Sequence, residues 1–567
     1  MARATRSEVL RDFTGGLNLR RDQVALAENE FPYAINLVPD GRGGLTPRQD
    51  WKLIGLSGSR SVSLAVTADL FATAAATQII TAATLPYSWL GVPAGAPAAN
   101  VYYHTITVGS DEPIITENSM GITSERTVGG VGVAQFGVLA YLARGLSLTG
   151  RSWSGSAAVA LTASGTGQWQ DSFATPTGTH MPQAEHVASH AGHLWVAATQ
   201  ENAVKYPNRV RFSHPGFPES WREDDFIDIP AGGPSIKGLI PFNDGLLVLK
   251  DFSIWAILGY DWETFQVIQV TDGIGCSSSR HAAVAGSSLY FVSWPEGVMK
   301  MGRDYGVDKV SEPLNAIFMS RHMNSYAFAW SSLSWSGGKL RYSAAIANGA
   351  TIEGGVSGPF GSPGSQTVTA ARPGCTFVYD PFIGANGCWW MESGCPTGNT
   401  NYASAGLICS LDLAAATQSN RRAVGFLLAG SGYAWVKLDS GTWAGDDWIA
   451  GLGPETYDTD ATQRVIRTRW VDAGTQAWKK RFGRPEVMVR EENTTFTYTW
   501  KSYRDWDEST QVRTGSIAYT GNDAIGTMID RATPLGSSRA AQLLLTFPAT
   551  GESGIIQVDF RYTPRLR

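Results

Sequence analysis

The stretch His186–Ala197, HVASHAGHLWVA, reads as a strand, an Ala-Gly turn and a second strand, and no helical period fits it. The same plan recurs downstream. It stands in LIPFNDGLLVLKDFSIWAIL (Leu239–Leu258), HAAVAGSSLYFVSWPEGVMKM (His281–Met301), FAWSSLSWSGGKLRYSAAI (Phe328–Ile346) and AVGFLLAGSGYAWVKLD (Ala423–Asp439). The earlier copies fall roughly 40–55 residues apart, the period of a propeller blade of four strands. FVYDPFIGANGCWWM (Phe377–Met391) fits a further blade between the last two. The copies share a pattern and no repeated word such as Trp-Asp. A single blade cannot bury its faces, because sheets must stack at about 10 Å to exclude water. The repeats therefore have to close on themselves or be capped, and such rings often borrow an N-terminal strand for the last blade. The predicted fold is all-β: a β-propeller of four-stranded blades with an additional β-rich domain or insertion near the N-terminus.

Composition agrees with that class. The chain has 567 residues, enough for two to four domains or one large repeat array. Its 63 glycines with 20 Trp, 19 Tyr and 22 Phe suit short strands and tight turns better than helices. The net charge of −5 is small for this length and does not indicate loose wrapping of nucleic acid by overall positive charge. Five cysteines, Cys276, Cys375, Cys388, Cys395 and Cys409, form no CxxC pair, so reduced thiols are expected. Cys388 and Cys395 are the pair that a hairpin would bridge. The opening MARATRSEVLRDF has charge and no apolar core, unlike a signal peptide. The stretch Leu64–Leu85 is interrupted by Asp69 and many threonines and lacks the ~20 clean apolar residues of a membrane span. These features predict a protein kept in a cytosol-like compartment until assembly.

Four regions follow along the chain. Residues 1–55 form an N-terminal closing segment, with turns at Gly15-Gly16, Asp40-Gly41 and Gly43-Gly44 and a predicted short helical turn over Glu28–Asn36. Residues 56–180 are rich in Ala, Thr and Gly and read as a β domain or an elaborated blade. Residues 181–460 are propeller blades. Residues 461–567 are a C-terminal β region rejoining the propeller.

Candidate chemistry is sparse. His180, His186, His190 and His193 are half of all eight histidines. His186 and His190 have metal-ligand spacing for a helix, but on a strand they lie about 13 Å apart, too far for one metal. KLDSGTW (Lys437–Trp443) falls short of the Asp-box turn of sialidase-type propellers: Gly441 and Trp443 are one residue too close, and Lys437 stands where Ser or Thr belongs. The acid pairs Asp224-Asp225, Asp446-Asp447 and Glu491-Glu492 are adjacent and so point to opposite faces of a strand, whereas a glycosidase needs two acids across a substrate. Nucleophile elbow, phosphate loop, zinc helix and dinucleotide fingerprint are all missing. No catalytic, cofactor-binding or metal residue is assigned, no cofactor is expected, and the chain reads as a non-enzyme.

One charge asymmetry stands out. Arg464, Arg467, Arg469, Lys479, Lys480, Arg481, Arg484 and Arg490 form a basic run interleaved with Trp470, Trp478 and Phe482. A solvated strand face, docking onto a partner subunit and contact with DNA all fit such a run. The docking reading assigns Arg464, Arg467, Arg469, Lys479, Lys480, Arg481 and Arg484 to a subunit or partner surface. The stretch RVRFSHPGFPESWREDDFIDI (Arg209–Ile229) has strand-like ends and a middle that Pro215 and Pro218 keep from pairing. It reads as the link from the outer strand of one blade to the inner strand of the next, with Trp221 as a structural plug between two sheets.

FTGGLNLRRDQVALAENEFPYAINLVPDGRGGL (Phe13–Leu45) resembles the opening of the tail nozzle and head-completion hub proteins of short-tailed bacteriophages. The likeness is carried by Phe13, Gly15, Gly16, Leu17, Asn18, Asn29, Glu30, Ala34, Asn36, Gly44 and Leu45. PRQDW (Pro47–Trp51) departs from the Arg-Pro-Gly step that follows in that family. RVRFSHPGFPESW, IKGLIPFNDGLLVLKDFSIWAILG and GIGCSSSRHAAVAGSSLYFVSWPEGVMKM are similar to its successive blade elements, and KKRFGRPEVMV to its late strand. The resemblance covers about two-thirds of the chain and omits roughly 56–180. It implies a virion structural protein of the tail, assembled in the host cytoplasm. It further implies a homohexameric ring that retains packaged double-stranded DNA and forms its exit channel. The implied partners are further copies of the chain, adaptor and portal-side proteins, and tail fibres or spikes. The alternative from the residues is a glycan-binding or glycan-degrading propeller of the tail tip.

Overall fold

The computed structural model describes residues 5–19, 25–48, 52–57, 61–70, 76–84, 99–108, 113–124, 132–162, 179–230, 235–315, 332–336, 338–346, 351–352, 366–367, 372–392, 405–412, 421–429, 432–437, 464–472, 479–490, 496–507, 511–519, 525–529, 535–547 and 554–564.

Among these residues the chain folds into four-stranded antiparallel sheets that follow one another in sequence. Blade one is Ser61–Leu70, Ala76–Thr84, Ala99–Val108 and Pro113–Ser124. Blade two is Gly132–Phe136, Leu139–Ala143, Arg151–Trp153 and Ala158–Ala160. Blade three is Gln183–His190, His193–Glu201, Val204–Phe212 and Phe226–Asp228. Blade four is Gly238–Phe242, Gly245–Leu249, Ser253–Leu258 and Gln266–Asp272. Blade five is Ala282–Ala285, Ser288–Ser293, Gly297–Met301 and Val307–Lys309. Blade six is Ser332–Ser336, Lys339–Ile346, Arg372–Asp380 and Cys388–Glu392. Blade seven is Ala405–Asp412, Arg421–Ala429 and Gly432–Lys437, and its fourth strand is Lys52–Ser57, from far upstream.

The first strand of each blade lies innermost. That of blade two packs beside those of blades one and three, and that of blade three beside that of blade four. The first strand of blade six packs beside those of blades five and seven, and that of blade seven beside that of blade one. Ile240 and Leu247 of blade four share an apolar cluster with Leu289 and Phe291 of blade five, which completes the circuit. The result is a closed, seven-bladed β-propeller, sealed by the strand Lys52–Ser57 on Gly432–Lys437. Residues 56–180 supply its first two blades.

The local sequence explains each blade's layering. In blade four the second strand, GLLVL, is buried along its whole length, as a strand covered on both faces must be. The outer strand, QVIQVTD, is largely exposed and correspondingly polar. The turn in HVASHAGHLWVA holds Ala191 and Gly192 at positive φ, the geometry of a two-residue hairpin, and His190 pairs with His193 across it. Phe377–Met391, expected as a separate blade, instead forms the third and fourth strands of blade six, after the pair in Phe328–Ile346.

Additional β structure joins the two ends of the chain. A seven-stranded sheet combines Arg6–Leu10, Leu37–Pro39 and Leu45–Pro47 with Lys480–Arg490, Ile525–Ile529, Gly536–Ser538 and Gly554–Pro564. Opposite it, blade six is prolonged into a nine-stranded sheet through Tyr33–Ile35, Arg464–Arg467, Ala541–Phe547, Phe496–Arg504 and Arg513–Tyr519. Leu37, Leu45, Phe482, Val487, Val558 and Phe560 of the first sheet meet Val465, Ile466, Trp500, Leu543 and Leu545 of the second in one core. That core runs on into Tyr290 and Val292 of blade five and Tyr342, Phe377 and Trp389 of blade six. The helical turn expected over Glu28–Asn36 is absent: Glu30–Phe31 and Tyr33–Ile35 are strands. Pairing of Ile35 with Val465 on one side and Met391 on the other outweighs the local preference, because strand partners on both edges take backbone groups that one isolated helical turn would leave open.

Candidate functional site

The Arg209–Ile229 stretch lies within blade three. It links the third strand, Val204–Phe212, to the outer strand, Phe226–Asp228, and so corrects the expected crossing from one blade to the next. The excursion exists because Pro215 and Pro218 stop the hairpin from zipping directly. Its tip still reaches the neighbouring blade. Trp221 is 1% exposed and packs against Ala134, Tyr141 and Ala143 of blade two and Val187, Leu194 and Val196 of blade three. The Tyr141 hydroxyl donates to Glu219 at 3.0 Å across the same seam, and burial together with that carboxylate pushes the phenol up.

Buried Arg211 holds the excursion down. Its Nε and Nη2 donate to the two carboxylate oxygens of Glu201 at 2.6 and 2.7 Å, and its Nη1 donates to the carbonyls of Arg222 and Glu223 at 3.1 and 2.9 Å. Burial alone would raise the Glu201 carboxyl. The bonds and charge of Arg211, the Thr199 hydroxyl and the charge of Arg209 overcome it and hold the group below the usual carboxylate range. Arg209 in turn forks onto Asp228 at 2.8 and 2.9 Å and lies between the rings of Tyr206 and Phe226.

The links between first and second strands and between third and fourth strands leave each blade on one common side. On that side of blade four, the loop from Gly259 to Phe265 is stiff. Thr264 Oγ1 donates to Asp261 Oδ1 at 2.7 Å, the Thr264 amide faces the same oxygen at 3.0 Å, and the Tyr260 and Asp261 amides donate to Thr264 Oγ1 at 3.2 Å. Gly259 sits at φ +109, where a Cβ would stand 2.5 Å from the Thr264 carbonyl oxygen. Phe265 anchors the loop, 5.0 Å from both Trp195 and Phe212 of blade three. His193 bridges the blades, with Nδ1 2.6 Å from the Ser213 carbonyl and Nε2 3.4 Å from that of Tyr260. This frame pushes Tyr260 and Trp262 into solvent, 65% and 58% exposed, and on the same side of the neighbouring blade the blade-three excursion exposes Phe217 at 47%. The sequence reading missed this patch. Its one signal is YDWET (Tyr260–Thr264), two aromatics among polar residues at a turn.

The basic run divides. Arg464, Arg467 and Lys480 are buried, and Lys480 donates to the Arg539 carbonyl at 3.1 Å. Arg469 pairs with Glu8 at 2.6 Å. These four leave the docking set, because Arg464 and Arg467 project from opposite faces of a strand buried along its whole length, Lys480 is buried beside Arg539, and Arg469 reaches the N-terminal strand. Lys479, Arg481 and Arg484 are exposed on one side of Lys480–Arg490. A bulge between Phe482 and Pro485 shifts the strand's phase and puts Arg484 on the same side as Arg481. Trp478 lies outside the described residues.

The remaining candidates are dispersed. His186 is buried, its Nε2 3.0 Å from the Ile236 carbonyl, and no group of three or more His, Cys, Asp or Glu among the described residues is placed to hold a metal. Cys276 and Cys388 are buried thiols outside any disulfide, and burial pushes Cys276 up to about 12. Asp224 is exposed and Asp225 buried, its carboxyl raised by burial. Asp446-Asp447, Glu491-Glu492 and all but the first residue of KLDSGTW lie outside the described residues. No helix among the described residues is long and apolar enough to cross a membrane.

Fold and surface define a propeller with a fused β-sandwich. No family model matches the chain, and no curated protein matches it. Among solved structures, BBS1N in complex with ARL6DN is similar in two crystals, soaked with lead and with mercury. The TM-score is 0.35 in each, at 10% and 9% identity over 69% of this chain and 98% of that one. The N-terminal domain of Nup159 is similar with a TM-score of 0.27 at 12% identity, over 54% of this chain and 73% of that one. Scores this low carry no argument about function; the propeller is defined by its own strand order.

Proposed function

We propose that the protein is a structural subunit of a ring in a tailed-phage virion, at the tail or head–tail junction, which retains packaged DNA and forms its exit channel. The observation that carries this reading is the resemblance of Phe13–Leu45 to the opening of nozzle and hub proteins. The burial of that motif is compatible with a scaffold. Phe13, Leu17, Phe31 and Ala34 enter the core shared by sandwich and propeller, and Gly16, at φ +75, lies where a Cβ would meet the Cys388 Sγ at 2.5 Å. Function then comes from shape. Copies arranged head to tail enclose a lumen, and a lumen lined by neutral or acidic groups lets DNA slide where a basic one would hold it. The partners are further copies of the chain, adaptor or portal-side proteins and tail fibres or spikes. Electron microscopy of the purified protein, across a concentration series, tests the reading. A six-fold ring with a central hole is expected, and single particles at every concentration would overturn it.

A further inference from the structure

We propose that the exposed loop face of blades three and four is one half of a contact between copies of this chain, and that the cationic side of the strand Lys480–Arg490 is the other half. The inference rests on the ring reading above and names the surfaces that would build it.

The loop face has the character of an interface centre. Phe217, Tyr260 and Trp262 stand largely exposed on the corresponding loops of neighbouring blades, and Trp and Tyr are the side chains that most often dominate binding energy. The loop that carries two of them is already rigid through Asp261 and Thr264, so little freedom is lost on docking. Asp261 and Glu263 are exposed in the same loop as Tyr260 and Trp262, and Asp244 is exposed in the first turn of blade four on the same side. The adjoining blade-five turn adds Arg303 and Asp304, which cancel. An aromatic face that also carries exposed carboxylates repels a copy of itself, so a two-fold contact through this side is disfavoured. Its complement is cationic, and the chain carries one: Lys479, Arg481 and Arg484, exposed on one side of a strand. No ion pair joins these cations to any acid among the described residues. A contact between two different patches of the same chain is head to tail, the kind that generates rings when its rotation closes.

The test is a charge exchange. One variant carries Asp244→Lys and Glu263→Lys, leaving Asp261 to hold its loop. The second carries Arg481→Glu and Arg484→Glu. Circular dichroism and melting check that both are folded. By sedimentation velocity each variant alone should remain monomeric where the wild type assembles, and an equimolar mixture should assemble again, because each opposed pair of faces regains opposite charge. Trp262→Ala should raise the concentration for half-assembly at least about tenfold. Rings from either charge variant alone, equal to wild type, would overturn this contact and leave the ring reading standing. Two monomeric variants that stay monomeric when mixed would also overturn it. A wild type that is monomeric throughout would end both. Wild-type assembly unchanged by Trp262→Ala, with Trp262-dependent retention on a glycan array, would reassign the face to carbohydrate and overturn the proposal.

Discussion

Trp221 and Arg211 do different work at one seam. Trp221 fills space between blades two and three, and its Nε1 has no hydrogen-bond partner, so its contribution is packing. Trp221→Ala should cost about 3–5 kcal/mol in denaturant unfolding, and Trp221→Phe much less. An unchanged midpoint for the alanine variant would reject the plug. Arg211 serves by hydrogen bonding: Arg211→Ala removes the two-pronged partner of the buried Glu201 carboxylate, leaving it Thr199 and a longer contact to Arg209, and should cost about 3–5 kcal/mol. The same pair sets a pH dependence. Because the folded Glu201 carboxyl is lowered, its stabilisation is complete above the ordinary glutamate value of about 4.3 and is lost as pH falls through the lower folded value. The unfolding midpoint should therefore drop on the acid side of about pH 4, and Glu201→Gln should flatten that slope. Trp221 was legible as a seam residue, since a large aromatic just after two prolines that keep the stretch from pairing has few other uses. Arg211 was not, because an arginine on an alternating strand looks the same in sequence whether it faces solvent or a buried acid 10 residues upstream.

At the scale of elements, the strand Lys52–Ser57 closes the ring. Leu53 and Leu56 pair with Val436 and Ala434, so Leu53→Pro with Leu56→Pro should open the joint between blades seven and one. Amide exchange across Gly432–Lys437 should accelerate at least about tenfold, which corresponds to about 1.4 kcal/mol. Exchange unchanged by the prolines would place the closure elsewhere. The hairpins of blades three, four and five were readable because turn residues and two-residue alternation are local signals. Their first strands begin at Gln183, Gly238 and Ala282, within the expected blade period. Grouping failed where pairing is not local. Phe377–Met391 has the look of an independent hairpin, and only its ladder with Lys339–Ile346 assigns it to blade six. The basic run failed for a related reason: Arg464 and Lys480 look like surface residues in sequence, yet both are buried.

As a whole molecule, the propeller and sandwich share one core, from Phe560 and Leu545 through Leu37 and Phe377 to Tyr290. Calorimetry should show one cooperative transition for the two, whereas domains joined only by a linker would melt separately. Two resolved transitions would mean that the shared core does not couple them. The amino-acid sequence by itself determined the all-β class, the strand-turn-strand repeats and the need for a closing strand, because these follow from the alternation of side chains and the chemistry of turns, both set by neighbouring residues. The tertiary structure alone decided the seven blades, the meeting of both chain ends in a sandwich, the inward turn of half the basic run and the aromatic patch at Tyr260 and Trp262. Each of those depends on which distant strand covers which face, and burial by a distant strand leaves no mark in the local pattern.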